Sequence, residues 1–175
     1  MPSATLDIFA DHHLPLLVVA ARLILALACG AAIGIEREWR QRPAGLRTHI
    51  LVCLAAALAS ITAIEITHLP AFAGQEIRID PLRIIEAVTA GVAFLAAGTI
   101  VFARGTVQGL TTGAGLWLAG VTGLAAGLGL WQIALLTTLL AVAVLSLIRL
   151  AESGRARKTV AENESGQGSE TSLTD

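Results

Sequence analysis

Charged side chains are scarce in this sequence. Asp, Glu, Lys and Arg make up 14% of the 175 residues, whereas soluble domains carry about 25%. Aromatic residues are also few, at 4%, and tyrosine is absent. The apolar share of 55% comes instead mainly from Ala, Leu, Ile and Val, and glycine adds 17 further small residues. This composition excludes an ordinary soluble domain, and it suits helices in lipid, where small residues allow close packing.

Patterns of reactive or metal-binding residues are lacking as well. The two cysteines, Cys29 and Cys53, lie within apolar runs, where we expect buried thiols and no disulfide framework. The sequence has no Cys/His pair at metal-ligand spacing, no glycine-rich phosphate loop with its lysine, and no nucleophile flanked by a base. We therefore expect that the protein is not an enzyme, has no resident cofactor and does not bind nucleic acid.

Long apolar runs, by contrast, are abundant, and several reach the roughly 20 residues that a membrane-spanning helix needs. The predicted helices run from about 14 to 35, 46 to 66, 81 to 103, 112 to 128 and 131 to 150. The last two divide one uncharged run near Gly127, because the glycines there allow a tight turn. The predicted fold class is therefore all-α, a polytopic bundle of about five transmembrane helices.

The basic residues are distributed unevenly between the two ends of these helices. Five crossings put the termini on opposite sides, and an outside N-terminus leaves nine Lys and Arg residues in cytoplasmic segments against Arg78 and Arg83 outside. Since cytoplasmic loops carry the excess of basic residues, we expect residues 1–13 to be extracytoplasmic and residues 14–150 to form the membrane domain. Residues 151–175 are polar and rich in Gly and Ser, which predicts a disordered cytoplasmic tail.

Two further expectations concern the ends of the chain. The first residues lack the basic start of a cleaved signal peptide, so we expect none. No soluble domain is expected after the bundle, because the tail has too few apolar residues to form a core.

Charged residues also fall within the predicted spans. Arg22 sits about eight residues inside the first helix, roughly 12 Å deep at 1.5 Å per residue. A charge at mid-membrane costs about 2.5–10 kcal/mol unless it is paired or hydrated, so we expect Arg22 to meet Glu86, Glu65 or both. The predicted intramembrane polar cluster consists of Arg22, Glu65, Asp80, Arg83 and Glu86. A structural ion pair and a polar site for a cation, a proton or a partner both stay open, and oxygen ligands of this kind suit Mg²⁺.

The loop after the first helix reads GIEREWRQRPAGLRTHIL and holds four arginines and two glutamates. The second cytoplasmic loop lies beside it in the predicted topology. Together they give a polar set of Glu36, Arg37, Arg47, Thr48, Arg104, Thr111 and Thr112. Two interpretations stay open: an electrostatic anchor at the lipid surface, or an ordered cluster that binds a partner or gates the bundle.

Glycines recur at intervals of seven residues in the third and fourth helices. Seven residues are nearly two helical turns, so each series forms a stripe along which helix backbones can approach closely. The predicted packing glycines are Gly30, Gly34, Gly91, Gly98, Gly120 and Gly127. We expect the stripes to pack the third and fourth helices together, with a bound ligand or a re-entrant segment as the alternative.

Two ordered motifs resemble those of the MgtC/SapB family of bacterial inner-membrane proteins. GAAIGIEREWRQRPAGLRTHILVCLAAAL is similar to the family's glycine-rich helix end, charged turn and A-G-L-R-T opening. The second half matches through DPLRIIEAVTAGVAFLAAGTIV and VQGLTTGAGLWLAG. The resemblance covers about residues 20–130, and it departs from the family's G-F-L-G-A-G at residues 93–98, which read AFLAAG.

The resemblance implies an inner-membrane protein associated with magnesium limitation, acid tolerance and survival inside macrophages, acting on membrane potential or a membrane ATPase. Members of the family are not established magnesium transporters, despite the name. The family's polar motif positions correspond here to Arg22, Glu36, Arg37, Arg47, Thr48, Asp80, Arg83, Gly98, Gly109, Thr111, Thr112 and Trp117. We favour a regulatory protein that binds another membrane protein; a small protein that binds or translocates Mg²⁺ or H⁺ is the alternative. A homo-oligomer is compatible with both.

Overall fold

The structure, a computed structural model, describes residues 13–69, 80–103 and 105–147. Within these residues it has five helices, which confirms the all-α fold class. The helices are α1 Leu16–Trp39, α2 Leu46–Ile66, α3 Pro81–Gly98, α4 Leu110–Gly127 and α5 Trp131–Leu147. The predicted N-terminal segment, except His13, and the predicted tail lie outside the described residues.

A short hairpin that the sequence analysis did not predict joins α3 to α4. Its strands, β1 Val101–Ala103 and β2 Thr106–Gln108, pair antiparallel with Phe102 opposite Val107. The third helix was predicted to reach about Ala103, but it ends at Gly98. The residues that follow are largely β-branched or aromatic, which favour a strand, and Gly105 supplies the positive φ of the turn.

The centre of the bundle is formed by α1, α2 and α4, which pack through small residues. Gly30 of α1 lies against His49 and Cys53 of α2, and Gly127 of α4 lies against Ala57 of α2. Most of the buried cluster at this crossing is alanine and cysteine. These short side chains let the three backbones approach closely, as small residues do in membrane bundles.

The outward faces of the helices are strongly apolar. Leu17 of α1 is 82% exposed and Phe94 of α3 is 80% exposed. Three helices, α1, α2 and α4, are long and apolar enough to cross a membrane. Water would disfavour so large an apolar surface, whereas lipid accepts it.

Of the two glycine stripes, the one on α4 contributes to helix packing and the one on α3 does not. Gly120 of α4 lies against Val92 of α3, as its predicted role requires. Gly91 and Gly98 of α3 are exposed and have no atom within 4 Å of an added Cβ, apart from their own helix. The expectation that both stripes pack α3 against α4 therefore does not hold for α3, because its glycines face away from α4.

Candidate polar site at one end of the bundle

A buried arginine marks one end of the bundle. Arg37, in the last turn of α1, is 2% exposed, and its Nη2 donates a hydrogen bond to Thr112 Oγ1 at 3.0 Å. Thr112 lies in the first turn of α4 and is also buried. We call this end of the bundle, where α1 ends and α2 and α4 begin, the Arg37 end. The structure thus brings together the two predicted cytoplasmic loops through one side-chain contact.

His49 of α2 adds a second buried polar group at the Arg37 end. Its side chain is fully buried, and Nδ1 lies 2.9 Å from the carbonyl oxygen of Gly45. Nε2 has no hydrogen-bond partner among the described residues. A Cβ added at Gly115 of α4 would lie 3.2 Å from Nε2. Glycine at position 115 therefore makes room for the imidazole between α2 and α4.

The motif A-G-L-R-T owes part of its pattern to Glu38. The Glu38 carboxylate accepts a hydrogen bond from the backbone N–H of Leu46 at 3.0 Å, which satisfies one of the free donors at the start of α2. A Cβ at Gly45 would overlap this carboxylate. Glycine thus leaves room there for Glu38 to reach across the turn in the observed rotamer.

Glu36 and Arg40 link α1 to α5. They form an i,i+4 ion pair between Glu36 Oε1 and Arg40 Nε, and Arg40 Nη2 donates to the carbonyl oxygen of Leu145 at 2.9 Å. The ion pair is a charge contact without hydrogen-bond geometry, and neither Glu36 oxygen has a hydrogen-bond partner among the described residues. Four of the five described helices, α1, α2, α4 and α5, therefore contribute groups to polar contacts at the Arg37 end.

The remaining residues of the predicted loop motif lie at the surface. Arg47, Thr48 and Thr111 are exposed, and Arg104 lies outside the described residues. The first turn of α2 thus turns Leu46 toward the bundle and Arg47 toward the surroundings.

The predicted intramembrane cluster is not assembled. Arg22 Nη1 donates to the carbonyl oxygen of Gly127 at 2.9 Å, at the C-terminal end of α4. A guanidinium stabilises the free carbonyls and the negative pole of a helix C-terminus. Glu65 instead accepts hydrogen bonds from the backbone N–H groups of His13 and Leu14, both at 2.9 Å. Arg22 and Glu65 therefore hold separate segments of chain, and no ion pair joins them.

The other three members of that cluster are also apart. Asp80 is the N-cap of α3 and accepts a hydrogen bond from Leu82 N at 3.0 Å. Arg83 and Glu86 are exposed on α3. The pairing expected between Arg22 and Glu86 is corrected here, because Arg22 is already engaged by α4 and no ion pair joins the two among the described residues. The same residues contain no group of three His, Cys, Asp or Glu arranged to hold a metal ion.

His49 was not among the predicted site residues. It shares a helical face with Cys53, Ala56 and Ser60, all of which are buried. That spacing of three to four residues was the available signal. Arg42 was likewise counted only as a basic residue, although it lines a cavity with Arg37.

An all-helical bundle with lipid-compatible outer faces and a buried polar group at one end defines a polytopic α-helical membrane protein. The sequence model of the MgtC family matches residues 23–153. This chain therefore belongs to the MgtC family, which confirms the resemblance seen in its motifs.

Curated relatives agree with this assignment. Protein MgtC of Salmonella typhimurium LT2 is 38% identical over 127 residues, covering 73% of this chain and 51% of the relative. YhiD of Escherichia coli K12, named as a candidate magnesium transporter, is 36% identical over 127 residues, covering 72% and 58%. The slr0014 protein of Synechocystis is 41% identical over 102 residues, covering 58% and 40%. The chain thus spans about half the length of these relatives, and no solved structure matches it significantly.

Proposed function

We propose that this protein is a regulatory protein of the bacterial inner membrane that binds a transmembrane helix of another membrane protein. A membrane ATPase is the partner class that the family resemblance implies. The proposed topology has the Arg37 end in the cytoplasm, which is supported by the excess of basic residues in the loops at that end. The proposal concerns binding, and it assigns the chain no catalytic step.

The observation that carries this proposal is an open groove between α2 and α3. Small residues recur along both walls: Ala55, Ala59 and Ala63 at four-residue spacing on α2, and Ala87 and Gly91 at the same spacing on α3. Larger side chains, among them Leu58, Ile84 and Arg83, complete the lining. Its larger cavity has a volume of 620 Å³. We call this feature the α2–α3 groove.

The groove has the pattern by which transmembrane helices recognise each other. Residues four apart lie on one helix face, and small residues there let a second backbone approach closely, so that van der Waals contacts drive association in lipid. Within this chain no described side chain fills the groove opposite Gly91. A partner helix would therefore find two complementary small-residue walls.

The packing of the bundle interior supports binding over transport. A Cβ at Gly123 of α4 would overlap the carbonyl oxygen of Cys53 of α2, and Gly127 is equally close to Ala57. Between the Arg37 end and Arg22, the α2–α4 contact is thus closed by backbone against backbone. An ion crossing the bundle needs polar groups along its whole route, and this contact offers no such route.

The test is to fill the groove and measure partner capture in membranes. A photo-crosslinking residue is placed at Leu58, which lines the groove, and Ala59→Leu and Gly91→Leu each add bulk inside it. We expect both variants to reduce a discrete crosslink to a membrane protein by roughly tenfold, equivalent to about 1.4 kcal/mol of lost packing. Ala28→Leu, at an exposed position on α1, is the matched control and should leave the crosslink unchanged. Equal crosslinking in all variants would refute docking in the groove.

A second candidate is ion translocation, which the name of the Escherichia coli relative favours. Purified protein in liposomes would be assayed for Mg²⁺, H⁺ and K⁺ flux, with Arg37→Ala and Arg22→Ala as variants. Flux above that of empty liposomes, lost in these variants, would replace the regulatory proposal. Absence of flux together with a groove-dependent crosslink supports the regulatory proposal.

A further inference from the structure

We propose that the Arg37 end contains a binding site for a phosphate group. A cavity of 390 Å³ lies between the end of α1 and the start of α4, and its walls include Arg37, Arg42 and the residues from Gly109 to Thr112. The site is distinct from the α2–α3 groove, and the proposal does not depend on the proposed function.

The first wall of the cavity is the N-terminus of α4. This helix has 18 residues, and no side chain caps its first turn. The first N–H groups of a helix have no partner within it, and the helix dipole adds partial positive charge there. Such ends bind phosphate groups readily. Gly109 at the N-cap has a φ of 90°, and a Cβ at this position would overlap the carbonyl oxygen of Thr99, so the chain can enter this helix in the observed conformation only with glycine here.

The second wall is the buried guanidinium of Arg37. Among the described residues its hydrogen bond goes to a neutral hydroxyl, that of Thr112, and its Nε has no partner. Glu36 is a neighbouring negative charge, but its oxygens make no hydrogen bond among the described residues, and a buried cation with an unpaired donor is unfavourable. A tetrahedral oxyanion in the cavity would supply both a further negative charge and the missing acceptor, and the planar donors of arginine match phosphate oxygens.

The neighbouring charges leave this end positive. Glu38 is engaged by the backbone N–H of Leu46, and Glu36 is paired with Arg40. Neither carboxylate lines the cavity, whereas Arg42 supplies a second cation to it. Because the cavity lies where helices end, both a free phosphate and the phosphate of an anionic lipid headgroup can reach it.

Two arms of one experiment separate these sources. In phosphatidylcholine nanodiscs, inorganic phosphate is titrated at constant ionic strength against chloride, with binding followed by calorimetry. In nanodiscs that also contain phosphatidic acid, native mass spectrometry counts the lipids retained by the protein. Arg42→Gln removes one exposed cation from the cavity wall, and Arg47→Gln is the control, because Arg47 is exposed nearby in the first turn of α2 but does not line the cavity.

We expect Arg42→Gln to weaken phosphate binding or lipid retention roughly tenfold, the loss of one charge-assisted hydrogen bond, and Arg47→Gln to change it less than about twofold, as a screened surface charge. Arg37→Lys keeps the charge but loses the Nε–H, and we expect weaker binding with helicity retained. If Arg37→Lys does not fold, Arg42→Gln still decides the question.

Each outcome has one meaning. Phosphate binding without selective lipid retention assigns a soluble ligand, and retention of phosphatidic acid that Arg42→Gln abolishes assigns a lipid headgroup. The proposal is overturned if phosphate binds no better than chloride and phosphatidic acid is retained no more than phosphatidylcholine. It is also overturned if Arg47→Gln weakens binding as much as Arg42→Gln, because that result shows non-specific attraction to a basic loop.

Discussion

Substitution of Gly123 by alanine should loosen the centre of the bundle. Gly123 of α4 faces the backbone of Cys53 in α2, and a Cβ there would lie 2.7 Å from the Cys53 carbonyl carbon and overlap its oxygen. Ordinary contacts of a Cβ begin at 3.4 Å, so the contact with the carbonyl carbon at 2.7 Å alone requires the two helices to separate by about 0.7 Å, and the overlap with the oxygen requires more. The obstacle is backbone, which cannot turn aside as a flexible side chain can.

The expected size follows from two opposing effects. Overpacking of a close contact costs about 1–3 kcal/mol. Alanine recovers at most about 1 kcal/mol over glycine in helix propensity. We therefore expect Gly123→Ala to lower the free energy of unfolding, with most of the loss coming from the α2–α4 contact.

The measurement is reversible unfolding in mixed micelles, followed by the fluorescence of the three tryptophans. Gly91→Ala is the matched control, because the same change on α3 meets no atom within 4 Å, and it should leave stability unchanged or slightly raised. If Gly123→Ala proves as stable as Gly91→Ala, the α2–α4 contact is not closed by glycine and the reasoning is refuted.

Three further pairs of substitutions test the polar contacts. Glu38→Ala should destabilise the protein by about 0.5–2 kcal/mol through loss of its bond at the start of α2, and Glu38→Gln, which keeps an acceptor, should recover part of this in the same unfolding assay. Asp80→Ala should cost a similar amount at the N-cap of α3, with Asp80→Asn near wild type by thermal unfolding. Arg22→Ala and Glu86→Gln should combine additively within about 0.5 kcal/mol, because sites without a shared partner do so; strong relief of Arg22→Ala by Glu86→Gln would show that the two charges do meet.

The candidate site was only partly predictable. Arg37 and Thr112 stood in the predicted polar loops, and their hydrogen bond is a direct consequence of α1 and α4 meeting at that end. His49 was missed because its spacing indicates a buried face but does not show which helix covers that face. Only the packing of α4 against α2 shows its neighbours. The intramembrane charges were grouped by depth, since an unpaired charge in lipid is unfavourable. Grouping by depth left out the backbone groups at helix ends, which serve as partners for these charges in the structure.

Length and hydropathy are local properties, and they determined the helical class of this protein and the bounds of α2 without any tertiary information. Order along the chain likewise determined the motifs that it shares with the MgtC family. Only the packing decided that Arg22 serves the end of α4, that the glycines of α3 face outward and that Arg37 is enclosed beside a free helix N-terminus. Rotation of a helix about its axis changes none of its local sequence preferences, so contacts between helices alone select the face that each residue presents.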